Sequence, residues 1–323
     1  MTMSLGVNKE APPKKNEPRS AANSDLKLPK PVRLFLLRFA HSNAYVPLPI
    51  LAITIATYMQ IGDFNWHLGY VSFLFFSTLF LYPLHRLIGL RLSIPLDYST
   101  AQKSVSKKPK IAQISVLLGL LGTVYFTFQL PLHFFQFLIP LGIISMTYSL
   151  PFIPTTAGWK RLRDIPGVKI YAITLVVTFT TSTIPLLLNE SIAISTIIIF
   201  GIQRFLFILA ITIPFDIRDL RIDRKWKLKT IPLLIGTDRS IYLSKSLLLA
   251  TAVVAILHAL FSPLLSIYIG IAIILSCLWT YYIVAKFKTY NAPLFNAYML
   301  EGSLIFQFAL ITMTQVLLSL SFS

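Results

Sequence analysis

Residues 192–223 read IAISTIIIFGIQRFLFILAITIPFDIRDLRID, an apolar run closed by three aspartates, Asp216, Asp219 and Asp223. The run is long enough to cross a bilayer. On a helix, at 100° per residue, the three carboxylates fall within an arc of about 60°. They make one acidic face at one mouth of a membrane-embedded bundle.

Carboxylates that close repel each other unless something cationic lies between them. Oxygen-only ligands suit Mg²⁺, which often keeps several waters and is completed by substrate phosphates. One reading is therefore a diphosphate held through Mg²⁺ by Asp216, Asp219 and Asp223. The other is a solvated, charge-mixed helix end in which Arg218, Arg221, Arg224 and Lys225 pair with the acids.

The whole chain of 323 residues has the composition of a membrane protein. It is 55% hydrophobic and 13% charged, where soluble domains carry roughly 25% charged residues. Its single cysteine, Cys277, can build neither a disulfide framework nor a thiolate metal site. The net charge of +17 would suit nucleic acid, but its placement argues otherwise. The basic residues gather in the amino-terminal tail and in alternate connections, which is the positive-inside pattern of a multispanning protein.

Working outward from 192–215, eight further apolar runs cover 43–60, 69–88, 111–129, 133–152, 170–188, 241–260, 263–284 and 296–319. Connections near 86–110, 160–169 and 216–239, together with Lys286 and Lys288, carry the positive charge, whereas those on the other side hold Asp63 and Glu190. The expected fold is an all-α polytopic bundle of nine transmembrane helices around a central cavity open toward the cytoplasm. The expected location is a bacterial plasma membrane, with the amino terminus cytoplasmic and the carboxyl terminus outside. Residues 1–38 read as a disordered tail without signal-peptide layout plus a short interfacial segment, and 39–323 as the membrane domain.

Several side chains are candidates for the same mouth. Tyr82, His85 and Arg86 close the second run, where His85 and Arg86 could donate to phosphate oxygens or belong to the positive collar. Tyr148-Ser149 leads toward Lys160-Arg161-Leu162-Arg163. There the tyrosine could touch substrate and the basic residues could meet diphosphate or headgroups, with arginine better suited to bidentate contacts. Arg204 lies inside a run. An intramembrane arginine either lines a polar site or pairs structurally, here with Glu301. Arg218 sits within the acidic stretch itself. The second and sixth runs also end alike, with Pro83 before His85 and Pro214 before Asp216.

The spacing Asp216-x-x-Asp219-x-x-x-Asp223, followed by Thr230-Ile-Pro232 and Gly236, resembles the UbiA superfamily of intramembrane prenyltransferases. Tyr148-Ser149 and Arg163-Asp-Ile-Pro-Gly-Val-Lys169 support that resemblance, which covers residues 40–320. It implies transfer of an isoprenyl group from a prenyl diphosphate to a hydrophobic acceptor, aromatic or lipid. It further implies Asp216, Asp219 and Asp223 as Mg²⁺ ligands. The chain departs from the family pattern at the second run: from Phe64 to Pro95 there is no Asp or Glu where a first aspartate-rich motif belongs, and Asp97 comes too late. Three readings stay open. His85, Arg86 and Arg91 supply fixed positive charge in place of metal, or the chain binds an isoprenoid or lipid without turning it over, or it uses a different donor.

Overall fold

The sixth apolar run does not stop where its hydrophobicity does. In the computed structural model the helix that contains it extends from Ile194 to Lys225, ten residues past the expected end at 215. The acidic face therefore rides on the same continuous helix as the apolar run. The structure describes residues 29–40, 43–63, 67–92, 109–155, 158–189, 191–225, 228–262, 265–287 and 296–321. The expectations for the tail before Pro29, for Asp97 in the connection 93–108, for Glu190, for Lys288 and for the Arg91 side chain fall outside the described residues.

In chain order the helices are α1 (Lys30–Ala40), α2 (Pro47–Gln60), α3 (Leu68–Leu92), α4 (Pro109–Thr127), α5 (Phe135–Ser149), α6 (Val168–Leu187), α7 (Ile194–Lys225), α8 (Ile231–Ile235), α9 (Thr237–Phe261), α10 (Ile267–Lys286) and α11 (Gly302–Ser321). Among the described residues eight segments are long and apolar enough to cross a membrane: they lie in α3, α4, α6, α7, α9 and α10, and in α5 and α11 taken together with the helical turns that precede them. The ninth expected span, α2, has 14 residues. That is about 21 Å of helix against a hydrocarbon core of about 30 Å. The chain is an integral membrane protein with an all-α bundle. A small antiparallel hairpin departs from the all-helical pattern between α5 and α6, pairing Ile153–Thr155 with Gly158–Lys160.

Among the described residues three apolar clusters hold the bundle together, one of them a small contact of Ile170 on α6 with Leu209 and Ile213 on α7. Of the other two, the larger joins α2, α7, α9, α10 and α11 through Ile53, Phe207, Leu248, Ile273 and Ile311. The smaller joins α3 and α5 to the end of α6 through Tyr70, Phe134, Leu141 and Ile184.

Prolines inside spans free carbonyls that lipid cannot satisfy, so the protein must. Pro214 brings no N–H to the carbonyl four residues back, Ala210 O. The Ser244 hydroxyl of α9 donates to that oxygen at 2.6 Å. Pro185 does the same within α6, next to a π-helical turn over Phe179–Thr183. There Thr57 Oγ1 donates to Thr181 O at 2.7 Å and the Tyr70 hydroxyl to Thr180 O at 2.7 Å. These cross-helix bonds fix the kinked segments and therefore the aim of the acidic face. Ser244→Ala leaves a buried carbonyl unpaired and should cost about 1–3 kcal/mol in unfolding experiments. An unchanged unfolding temperature would show that Ala210 O has another donor.

Candidate functional site

The three aspartates do not stand as one acidic trio. Asp216 and Asp223 are almost fully buried, 2% and 1% exposed, and both turn to Lys169 at the start of α6. Lys169 Nζ lies 2.8 Å from Asp216 Oδ1 and 3.1 Å from Asp223 Oδ2. Asp219 turns instead to its neighbour, with Arg218 Nε 3.0 Å from Asp219 Oδ1. Burial raises the Asp223 carboxyl above the ordinary carboxylate range, and the Lys169 ammonium opposes that shift.

The position of Lys169 is set by local backbone. Gly167 adopts φ 78°, a left-handed conformation that suits glycine, and its N–H donates to Lys229 O at 3.0 Å. This bond ties the connection before α6 to the one after α7. Arg161 adds a second restraint, gripping Asp164 through Nε at 2.7 Å and Nη2 at 2.8 Å.

Between these connections lies a cavity of about 110 Å³, lined by Arg163, Lys169, Ile170, Asp216, Lys229 and Thr230 among others. Three of its polar atoms are buried without a partner: Arg163 Nε, Asp216 Oδ2 and Thr230 Oγ1. Buried polar groups are normally hydrogen-bonded, so three orphaned atoms on residues around one cavity are unusual. Thr230 occupies the N-cap position of α8 but makes no side-chain cap.

On the other side of the acidic helix, α3 contributes Tyr82 and Arg86. Arg86 Nη2 donates to the Tyr82 hydroxyl, and its guanidinium carbon sits 4.0 Å from the Tyr82 ring centre. Tyr82 lies within electrostatic reach of Glu301, Arg218 and Asp219, and Glu301 within reach of Arg218 and Arg86. Tyr148 links the two sides: Arg163 stacks over its ring at 5.5 Å, His85 lies 5.8 Å from it, and Lys169, Asp216 and Asp219 are its charged neighbours. Arg86 Nη1 and His85 Nε2 are buried without partners.

Tyr82, His85, Arg86, Tyr148, Arg218 and the aspartates thus converge at one end of the bundle. Lys160 and Arg204 do not join them. Lys160 is exposed on the hairpin beside Trp159. Arg204 is 12 residues before Asp216 on α7, about 18 Å away at 1.5 Å per residue. It donates to Ile53 O at 3.1 Å and Thr57 Oγ1 at 3.0 Å. The expected partner Glu301 is not among these contacts, because α2 presents its own carbonyl and hydroxyl to the guanidinium.

Sequence reading did not place Lys169 between Asp216 and Asp223, nor Glu301 within reach of Arg218 and Arg86. For Lys169 a signal was present in the Arg163–Lys169 stretch, but its partners are 47 and 54 residues away. As they stand, the residues do not fit a divalent ion. Two carboxylates share an ammonium, the third engages Arg218, and among the described residues no group of three or more His, Cys, Asp or Glu could hold a metal.

No protein-family model matches the sequence, and no curated protein matches it. Solved structures do share its fold. A UbiA homolog from Archaeoglobus fulgidus superposes with TM-score 0.57 at 17% identity, covering 88% of this chain and 98% of that one. The same homolog bound to GPP and Mg²⁺ gives TM-score 0.54 at 18% identity, covering 86% and 99%. A structure described for digeranylgeranylglyceryl phosphate synthase in membranes gives 0.53 at 12%, covering 88% and 98%. At these identities the likeness is one of fold.

Proposed function

We propose that this chain is a UbiA-like prenyltransferase, moving an isoprenyl group from a prenyl diphosphate to a hydrophobic aromatic or lipid acceptor within the membrane. The observation that carries this reading is the cavity beside Asp216. There, cationic side chains and unpartnered polar atoms lie at the end of an apolar bundle. An amphiphile with a diphosphate head and a greasy tail matches both parts. The fold likeness to a structure with GPP and Mg²⁺ supports the same reading.

In the reaction the C–O bond between the allylic carbon and the diphosphate breaks, and the electron pair leaves with the diphosphate. The acceptor's carbon or oxygen bonds to the allylic carbon and gives up a proton, which the released diphosphate can take. Arg163, Lys169 and Arg86 stabilise the charge that grows on the leaving group. The apolar bundle limits water around the allylic cation. The Mg²⁺ that the resemblance implies carries no step here, because Lys169 engages Asp216 and Asp223 and Arg218 engages Asp219. Tyr82, His85, Tyr148 and Arg218 line the proposed site. We place this end on the cytoplasmic side, following the positive-inside pattern.

Equilibrium binding of geranyl diphosphate to purified protein tests the reading. Arg163→Gln, in the cavity lining, should weaken it about tenfold, near 1.4 kcal/mol, whereas Arg204→Met, remote from the cavity, should leave it within about twofold. Loss of binding in Arg204→Met alone, or no binding by the wild type, would overturn this placement. The second reading, an isoprenoid- or lipid-binding protein without turnover, draws on one observation: the absence of a metal-holding group among the described residues. Binding without product would favour it.

A further inference from the structure

Lys169 bridges two carboxylates seven residues apart on α7, at 2.8 Å and 3.1 Å. Two turns of helix put those carboxylates about 10 Å apart along the axis at their backbones. The side chains close that gap onto a single cation. We propose that Lys169 holds the place a divalent ion would take between Asp216 and Asp223, so that this wall engages an anionic ligand through an ammonium and not through a protein-held metal. The inference rests on the diphosphate reading for the identity of the ligand, but not for the cation's place.

Three observations converge. Lys169 is itself 9% exposed, so the pair is shielded from competing solvent ions. Its backbone is pinned by the Gly167 to Lys229 bond at 3.0 Å, so the ammonium is positioned before any ligand arrives. Asp216 still has one unpartnered buried oxygen, Oδ2, and lines the cavity with Arg163 and Thr230. What enters must therefore offer acceptors to Arg163 and Lys169 and one donor to Asp216. A singly protonated diphosphate carries both. The ammonium of lysine is a compact point charge, which makes it the closest side-chain substitute for a small cation.

The test is Mn²⁺ binding followed by electron paramagnetic resonance on the full chain in lipid nanodiscs, without diphosphate. Wild type and Asp216→Asn should take up the same amount of Mn²⁺, because neither has a site there. Lys169→Gln should gain one bound Mn²⁺, lost again when Asp216→Asn is added. Lys169→Arg should gain none. A bound Mn²⁺ in wild type that disappears in Asp216→Asn overturns the proposal, as does a folded Lys169→Gln that gains nothing. If Lys169→Gln does not fold, the comparison of wild type with Asp216→Asn decides alone. In a separate arm, wild-type binding of geranyl diphosphate should be equal within about twofold in EDTA and in Mg²⁺. A loss of about tenfold or more in EDTA overturns metal-independent binding. Absence of binding in both buffers instead sinks the diphosphate reading and leaves the Mn²⁺ result standing.

Discussion

Lys169→Met should lower the unfolding temperature by roughly 10 °C. The variant leaves Asp216 and Asp223, both almost fully buried, with no ammonium between them. Removing one partner of a buried ion pair costs about 3–5 kcal/mol, because the charge left behind has neither water nor counter-ion. For a chain of this size each kcal/mol shifts the midpoint by about 2–4 °C. The effect is specific in a way that simple loss of packing is not. Adding Asp216→Asn and Asp223→Asn to Lys169→Met removes the stranded charges and should restore most of the lost stability. Thermal unfolding in one detergent, followed for the single and triple variants, checks both halves. A Lys169→Met protein as stable as the wild type would mean that the two carboxylates have another source of positive charge.

Gly119→Ala should be strongly damaging to the bundle. A Cβ at residue 119 would lie 2.4 Å from Phe80 N and 2.7 Å from Phe80 Cα. Those are backbone atoms of α3, which cannot rotate out of the way. Small residues allow close helix approach in membranes, and here α4 rests directly on α3. The two helices would have to separate, at about 1–3 kcal/mol or more. Because α3 also carries Tyr82, His85 and Arg86, the same shift displaces one wall of the proposed site. Gly142→Ala is the matched control, since a Cβ there meets nothing within 4 Å. Equal unfolding temperatures for the two variants would show that α3 and α4 are not in contact at Gly119.

These two sites differ in how far the sequence reveals them. The span pattern was legible because a bilayer demands long apolar runs, and each of the nine expected runs overlaps a helix. The one-sided arrangement of Asp216, Asp219 and Asp223 followed from helical period alone. What their oxygens touch did not, because Lys169 is 54 residues from Asp223 and only tertiary packing of α6 against α7 brings them together. The close approach at Gly119 was equally hidden, since nothing local says which helix lies opposite a glycine. Arg204 stood out as an intramembrane charge, expected to line the site or to pair with Glu301. Its partners are a carbonyl and a hydroxyl of α2, groups that carry no charge signal in a sequence. The hairpin over Ile153–Lys160 went unread because three-residue strands leave no period to detect, and its exposure removes Lys160 from the site.

The most direct test of isoprenyl transfer is to reconstitute the protein with a radiolabelled allylic diphosphate, Mg²⁺ and a panel of aromatic and lipid acceptors. Released diphosphate is then measured against labelled product. The account predicts equal amounts of free diphosphate and prenylated acceptor, reduced together in Arg163→Gln and Arg86→Gln. Intact diphosphate and no product with every acceptor, from protein that still binds the donor, would contradict it.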